Sequence, residues 1–281
     1  GRRYLQWMMV FPLAIPAYIS AYIYTDMLDY AGPIQTALRH WFHWQTPQDY
    51  WFFDIRSLWG ASLMLGLALY PYLFLLLRNT FEQRSQSLIQ AAQLMGASER
   101  KIFWTLHLPI ARPALAIGCT LVAMESLADY GTVQLFAIST LTTAIYDSWL
   151  VYGSLASAAK ISCLTLMFVI TLVAIEKNSR KKQQHVDSRN TRPAPKVHAT
   201  TTRSTLIWFF CGTIFALGFA IPLVTLIHYC IEYWQENMNG NILIHSQSTF
   251  ILAVAAASIA CLLAIVLNSQ QRFHPSPSNQ A

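Results

Sequence analysis

Long runs without a charged residue constrain this chain more than any other feature. Between Arg3 and Asp26 lie 22 uncharged residues, and between Arg56 and Arg78 lie 21. Another 28 separate Arg203 from Glu232, and 35 separate Glu236 from Arg272, with an apolar heart from Phe250 to Leu267. A helix rising about 1.5 Å per residue needs roughly 20 such residues to cross about 30 Å of hydrocarbon. Two further apolar stretches carry isolated charges: Pro113 to Ile138 contains Glu125 and Asp129, and Leu150 to Ile175 contains Lys160. The pattern predicts an all-α, polytopic membrane bundle of six spans over 4–25, 57–78, 113–138, 150–175, 204–231 and 249–268. Pro12, Pro16, Pro71 and Pro222 fall inside these spans, where neighbouring helices can satisfy the backbone groups a proline frees. Composition agrees. The chain is 54% hydrophobic and only 11% charged, against about 25% charged in soluble domains. So few charges cannot coat a soluble core of this size, and so much apolar content excludes disorder.

The net charge of +6 would suit a nucleic-acid binder, but the placement of the charges points elsewhere, and no nucleic-acid partner is expected. Six crossings put both ends on one side. Facing that side are Arg2 and Arg3, five basic residues from Arg78 to Arg112, eight from Lys177 to Arg203, and Arg272, or 16 of the 19. The opposite loops hold Arg39 and Arg56, and Lys160 is intramembrane. The excess of basic residues assigns both ends to the cytoplasm. Trp41, Trp44, Trp51, Phe52 and Phe53 crowd the first external loop, as aromatic rings do at a membrane interface.

Cys119, Cys163, Cys211, Cys230 and Cys261 all sit in predicted spans without metal-ligand spacing, and read as small buried hydrophobes. His40 and His43, with Asp49 nearby, are read as part of an interfacial segment rather than a metal site. The polar stretch Gln183 to Thr202, with Pro193 and Pro195, reads as a cytoplasmic linker between two membrane units. The first residue is not Met, the last residues are a short polar run, and no signal-peptide pattern occurs. A fragment of a longer membrane protein is expected.

The most informative loop runs from Ser87 to Pro109, between the second and third spans. It reads as a short helix, a glycine break and a second short helix. Leu88, Ala91, Ala92 and Met95 form one apolar face. Gly96 suits the left-handed residue that ends a helix. Ser98 can cap the next helix, with Glu99 in its first turn, where the dipole favours an anion. Ile102, Phe103 and Leu106 make its apolar face, and Pro109 is expected to stop it. Exposed amphipathic helices of this kind need a groove in which to bury their apolar side.

The spacing of Gln90, Ala91, Ala92, Gly96, Leu106, Leu108 and Pro109 resembles the EAA loop of binding-protein-dependent ABC transporter permeases. That pattern is Glu-Ala-Ala, three residues, Gly, nine residues, Ile, one residue, Leu-Pro. Gln90 stands where the family has Glu and carries no charge; Leu106 stands for Ile. The resemblance implies a type I importer permease. Its loop would dock into a cleft on a separate ATPase subunit, present as a dimer, and a separate substrate-binding protein would deliver cargo from outside. No Gly-x-x-x-x-Gly-Lys-Ser/Thr phosphate loop occurs in the sequence, so ATP hydrolysis falls to the partner. No catalytic residue, cofactor or metal site is expected of this chain.

Phe11-Pro-Leu-Ala-Ile-Pro-Ala-Tyr18, Tyr24-Thr-Asp-Met-Leu-Asp-Tyr-Ala-Gly-Pro33, Glu125-Ser-Leu-Ala-Asp-Tyr-Gly-Thr-Val133 and Leu141-Thr-Thr-Ala-Ile-Tyr146 look like the ferric-iron branch of these permeases, which fuses two similar halves. The resemblance implies that 1–180 is most of a first half and 204–281 the start of a second, joined by the linker 181–203. It also implies an inner-membrane location and alternating access. Related permeases carry thiamine, polyamines, phosphonates or sulfate.

Glu125 and Asp129, four residues apart, would share a helix face. Lys160 falls at a similar depth on the next span. An unpaired charge there costs at least about 2.5 kcal/mol, so exposure to lipid is unfavourable. The three read either as a helix-locking ion pair or as polar points on a substrate route. A competing class, a proton-coupled secondary transporter, would use the same three residues as a relay. A membrane enzyme is disfavoured by the absence of any nucleophile–base pair or metal motif.

Overall fold

The computed structural model describes residues 2–82, 86–181, 201–234 and 241–273. Most of the predicted linker therefore lies outside the described residues, as do the side chains of 83–88. Among the described residues every regular element is helical. Five helices are long and apolar enough to span a membrane, and six if the bent pair Tyr4–Ala14 and Ala17–Phe42 counts as one.

The first predicted span is broken rather than straight. Helix α1 (Arg2–Met8) and a 3-10 turn (Phe11–Ala14) precede α2 (Ala17–Leu28), with a bend of 85°. Ile15 is extended (φ −108°, ψ 119°), the conformation forced on a residue before proline, and Pro16 then leads into α2. Helix α3 (Pro33–Phe42) follows in the loop before α4 and ends on left-handed His43 (φ 57°). Its polar residues turn inward. Gln35 Nε2 donates to the Leu28 carbonyl (2.8 Å), Tyr50 Oη donates to Gln35 Oε1 (2.6 Å), and Arg39 donates to the Tyr30 carbonyl and to Tyr50 Oη while lying 4.2 Å above the Tyr30 ring. Phe42, Trp44 and Tyr50 stack in succession at 4.7 and 4.8 Å.

Helix α4 (Leu58–Glu82) carries Pro71 within it. Helices α5 (Gln86–Leu94) and α6 (Glu99–Ile102) form the loop, and a π turn (Phe103–His107) joins α6 to α7 (Leu108–Ala128). Pro109 does not stop the helix; Glu99 to Ala128 runs on as one 30-residue span candidate. The π turn explains this. The Leu108 N–H reaches back to the Phe103 carbonyl, so Pro109 enters in the first turn of α7, where its missing N–H is tolerated. The third span thus begins well before Pro113 and ends ten residues before Ile138. Beyond it come α8 (Gly131–Leu135), α9 (Leu141–Tyr146), a second π turn (Asp147–Val151) and α10 (Leu155–Lys181).

The core lies where α2, α4 and the segment after α7 meet: Ala21, Tyr24, Ile55, Ala61, Met64 and Phe136. Phe136 is buried, next to Ala137 in a left-handed conformation (φ 53°). Helix α7 places Ala111, Ala114 and Gly118 toward the bundle, and small residues there let helices approach closely.

The chain divides into two compact units, Gly1–Leu226 and Ile227–Ala281. Helix α11 (Thr201–Phe215), a third π turn (Ala216–Ala220) and the start of α12 (Ile221–Glu232) therefore fold with the helices that precede the linker. Phe11 stacks on Phe219 at 5.1 Å. A Cβ at Gly218 would stand 3.1 Å from Pro12 Cγ and 3.3 Å from the Leu67 carbonyl oxygen, so this close approach leaves almost no room for a side chain. Pro222 has no N–H to give the Leu217 carbonyl, and Tyr24 Oη donates to that oxygen instead, the kind of substitution a water-free interior requires. In the second unit, α13 (Asn241–Phe273) contains a spanning stretch Ile242–Val266 that is exposed among the described residues.

The cysteines depart from expectation. Cys119, Cys163, Cys230 and Cys261 are exposed and Cys211 is half-buried, so their helices present them to the outside of the bundle rather than to its core.

Candidate functional site

Two places bring the predicted residues together: the Gln90–Pro109 loop and a cavity at the far end of the same helix. In the loop, α5 ends in a Schellman motif. The Ala97 N–H donates to the Ala92 carbonyl (3.0 Å) and the Gly96 N–H to the Gln93 carbonyl (2.9 Å), with Gly96 left-handed at φ +78°. These are the two bonds that satisfy a helix's last carbonyls, which gives the Ala92-to-Gly96 spacing its physical reason. Ser98 then caps the next helix, its Oγ accepting from the Lys101 N–H at 3.4 Å.

The turn sorts the side chains. Ala92 and Ile102 are buried beneath it, while Gln90, Ala91 and Gly96 are exposed and Leu106, Leu108 and Pro109 half-buried. At its tip Leu94 is 89% and Met95 81% exposed. The predicted apolar face is therefore split: Ala92 packs inward, and Met95 projects outward with Leu94, which sequence periodicity did not single out. The signal was present in the Schellman geometry, because residues at the very end of a helix escape its periodicity.

A cavity of about 390 Å³ is bounded by the bent first pair, α4 and the end of α7. Its polar groups are Glu125, Asp129, Tyr18, Tyr72 and Tyr130, and no basic residue lines it. Glu125 is exposed into this open space, on α7. Asp129 is not one helical turn beyond it, because the helix ends at Ala128 and Asp129 is extended (φ −70°, ψ 121°). Its carboxylate starts the next helix: Oδ1 accepts from the Thr132 N–H (2.8 Å) and Oδ2 from Thr132 Oγ1 (3.1 Å). Tyr130 stacks on Tyr146 at 4.1 Å, and Thr142 Oγ1 donates to the Leu127 carbonyl. The end of α7 is thus stitched to α8 and α9.

Lys160 does not join the two carboxylates. It is exposed on α10, and among the described residues no ion pair links it to Glu125 or Asp129. The helix-locking pair expected from depth alone is not formed; the end of the helix at Ala128 and the turns that follow displace the geometry that equal depth implied. Tyr18 and Tyr72, by contrast, enter the cavity without having been singled out. Pro12 and Pro16 in one apolar run were the available signal, since a broken span opens a pocket that a straight one fills.

Between α2 and α4, a second cavity of about 310 Å³ lies against Asp29, Asp54, Tyr50 and Trp51. Its acids are engaged: Arg56 pairs with Asp29 at 3.0 Å, and its backbone N–H donates to Asp54 Oδ1. Asp49 Oδ2 accepts from the N–H groups of Thr46 (2.7 Å) and Gln45 (2.8 Å), and these bonds hold its carboxyl below the usual carboxylate range. Among the described residues no group of three His, Cys, Asp or Glu could hold a metal ion.

The Fe(3+)-transport system permease protein FbpB 2 of Haemophilus influenzae is 24% identical over 233 residues, covering 82% of this chain and 41% of its own length. The molybdenum transport system permease protein ModB of Escherichia coli is 24% identical over 182 residues, 62% of this chain and 76% of its own. A probable sulfate transport system permease protein of Chlorella vulgaris is 26% identical over 116 residues, 41% of this chain and 44% of its own. The chain thus spans about two fifths of the length of the ferric relative. No solved structure matches it. A family model described as the binding-protein-dependent transport system inner membrane component matches residues 1–182, the whole helical unit from the bent first pair to the end of α10. The chain belongs to that family of inner-membrane transport components.

Proposed function

We propose that this chain is the membrane-spanning part of an ATP-driven importer, with the Gln90–Pro109 loop as the docking element for a separate ATPase. The carrying observation is the Gly96 turn, which sets Leu94 and Met95 in solvent at the tip of a loop continuous with a spanning helix. Two exposed apolar side chains on a short rigid turn suit a groove on a partner. Both chain ends would face the cytoplasm, and a substrate-binding protein would deliver cargo to the opposite side. Residues 1–180 would be most of one permease half and 204–281 the start of another.

The cargo we favour is ferric iron. Carboxylate and phenol groups without a basic residue at the cavity suit a cation better than an oxyanion such as molybdate or sulfate. The ferric relative also aligns over more of the chain than the molybdenum one. Glu125 would be a polar point on the route, and Asp129 would hold its wall.

The test is uptake into vesicles carrying the full protein with its ATPase and binding protein. Labelled ferric iron should enter only with ATP, and Gly96→Val should abolish uptake and ATPase association while the protein still inserts. Uptake that survives ATP removal but collapses with the proton gradient would overturn the reading in favour of a secondary transporter. ATP-driven uptake of molybdate or sulfate instead of iron would overturn the cargo alone.

A further inference from the structure

One charged face of the helix Glu99–Ala128 belongs neither to the Leu94–Met95 tip nor to the cavity. Arg100, Trp104 and Arg112 are spaced by one and two turns, with Lys101 and Thr105 beside them, and all five are exposed. The buried residues of the same stretch, Ile102 at 3% and Ala111 at 2%, mark the opposite side. The face extends about 18 Å along the helix. No acidic residue occurs from Arg100 to Arg112. The side chains of Arg100, Lys101 and Arg112 make no ion pair or hydrogen bond among the described residues, and Thr105 Oγ1 is turned back onto the Lys101 carbonyl at 2.7 Å.

We propose that this face binds the headgroups of anionic phospholipids at the end of the span. Three unpaired cations within about 18 Å match closely spaced lipid phosphates, and an exposed Trp among them has the amphipathic ring that settles at headgroup level. Arg112 decides between a lipid and a soluble partner. It lies almost a turn beyond Pro109, inside the apolar run that is long enough to span, where an exposed side chain of a membrane helix meets lipid. Its stem can lie along the apolar surface while the guanidinium rises to a phosphate. Guanidinium groups suit this ligand because their forked donors match phosphate oxygens. The face is separate from the cavity, and the inference does not depend on the cargo.

The test uses the full chain in nanodiscs of phosphatidylcholine with a minor fraction of phosphatidylglycerol. After detergent release, mass spectrometry should find phosphatidylglycerol retained well above its bulk fraction. The triple variant R100Q/K101Q/R112Q should bring retention down to the bulk fraction, each neutralisation lowering the preference by about twofold to fivefold, with helical circular dichroism unchanged. R112K should keep part of the preference. A second measurement needs no charge change. Subtracting the emission of Trp104→Phe from that of the native chain isolates Trp104, which should be quenched more by brominated phosphatidylglycerol than by brominated phosphatidylcholine at equal mole fraction. Equal retention in native and triple-variant protein overturns the proposal, and so does equal quenching by the two lipids. Loss of ATPase association in the triple variant with lipid retention intact would assign the face to the protein partner instead.

Discussion

At Gly96 the backbone takes φ +78°, and a Cβ placed there would meet nothing within 4 Å. The residue is therefore required by conformation and not by space. Gly96→Ala is expected to cost about 1 kcal/mol of local stability, and Gly96→Asn less, because Asn tolerates the left-handed region. Protease sensitivity of the loop measures both, and a clash-driven site would rank the two variants by size instead. Asp49 makes a different kind of residue-level prediction. Its folded carboxyl is held low by the Thr46 and Gln45 N–H groups, so its contribution is present above the ordinary carboxylate value and is lost only as pH falls through the lowered one. The Trp44–Tyr50 stack beside it should hold its fluorescence through the ordinary range and change only in more acidic solution; in Asp49→Asn that acid-dependent step should vanish. Glu125 and Asp129 also separate at this scale. Asp129→Ala removes both acceptors used by Thr132 and should cost about 0.5–2 kcal/mol, read as a lower melting temperature. Glu125→Gln should leave melting unchanged while slowing uptake of the cargo proposed above.

Helices show where sequence patterns suffice and where they fail. Charge-free length located four of the spanning stretches, and apolar runs around isolated charges the other two, because the cost of a charge in hydrocarbon is large and local. Neither could locate the ends. Residues 129–138 still carry Val133, Leu135, Phe136 and Ile138, yet Asp129 accepts from the Thr132 backbone instead of continuing the helix, and α7 stops. Nor could proline be read alone. Pro109 and Pro222 each follow a π turn, at Phe103–His107 and Ala216–Ala220, and each is absorbed by it. The turn of the loop was legible, since Gly96 and Ser98 act through their own backbone neighbours, while the π turn before Pro109 was not. Lys160 was not, because its neighbours depend on how helices pack. The helix beginning at Thr201 supplies the test of that packing. Gly218→Val should force α4 and the Pro12 turn apart and cost about 1–3 kcal/mol. Tyr24→Phe, which strands the Leu217 carbonyl, should cost about 0.6–2 kcal/mol. Thermal melting in detergent measures both.

For the whole molecule, the helix from Glu99 to Ala128 connects the exposed loop to the cavity without a break in the chain. The rod's start at Glu99, joined to the loop's tip through the Gly96 turn, and the cavity's carboxylate at Glu125 lie about 40 Å apart along its axis. Within that rod the Phe103–His107 turn holds one residue more than an α-helical turn would. Were it to relax to α geometry, every side chain from Leu108 onward would turn by about 100° and shift by about 1.5 Å relative to the loop. Glu125 would then swing out of the cavity while Leu94 and Met95 stayed where they are. The extra residue thus acts as the phase setting of a shaft, fixing which way its far end points for any given position of the near one.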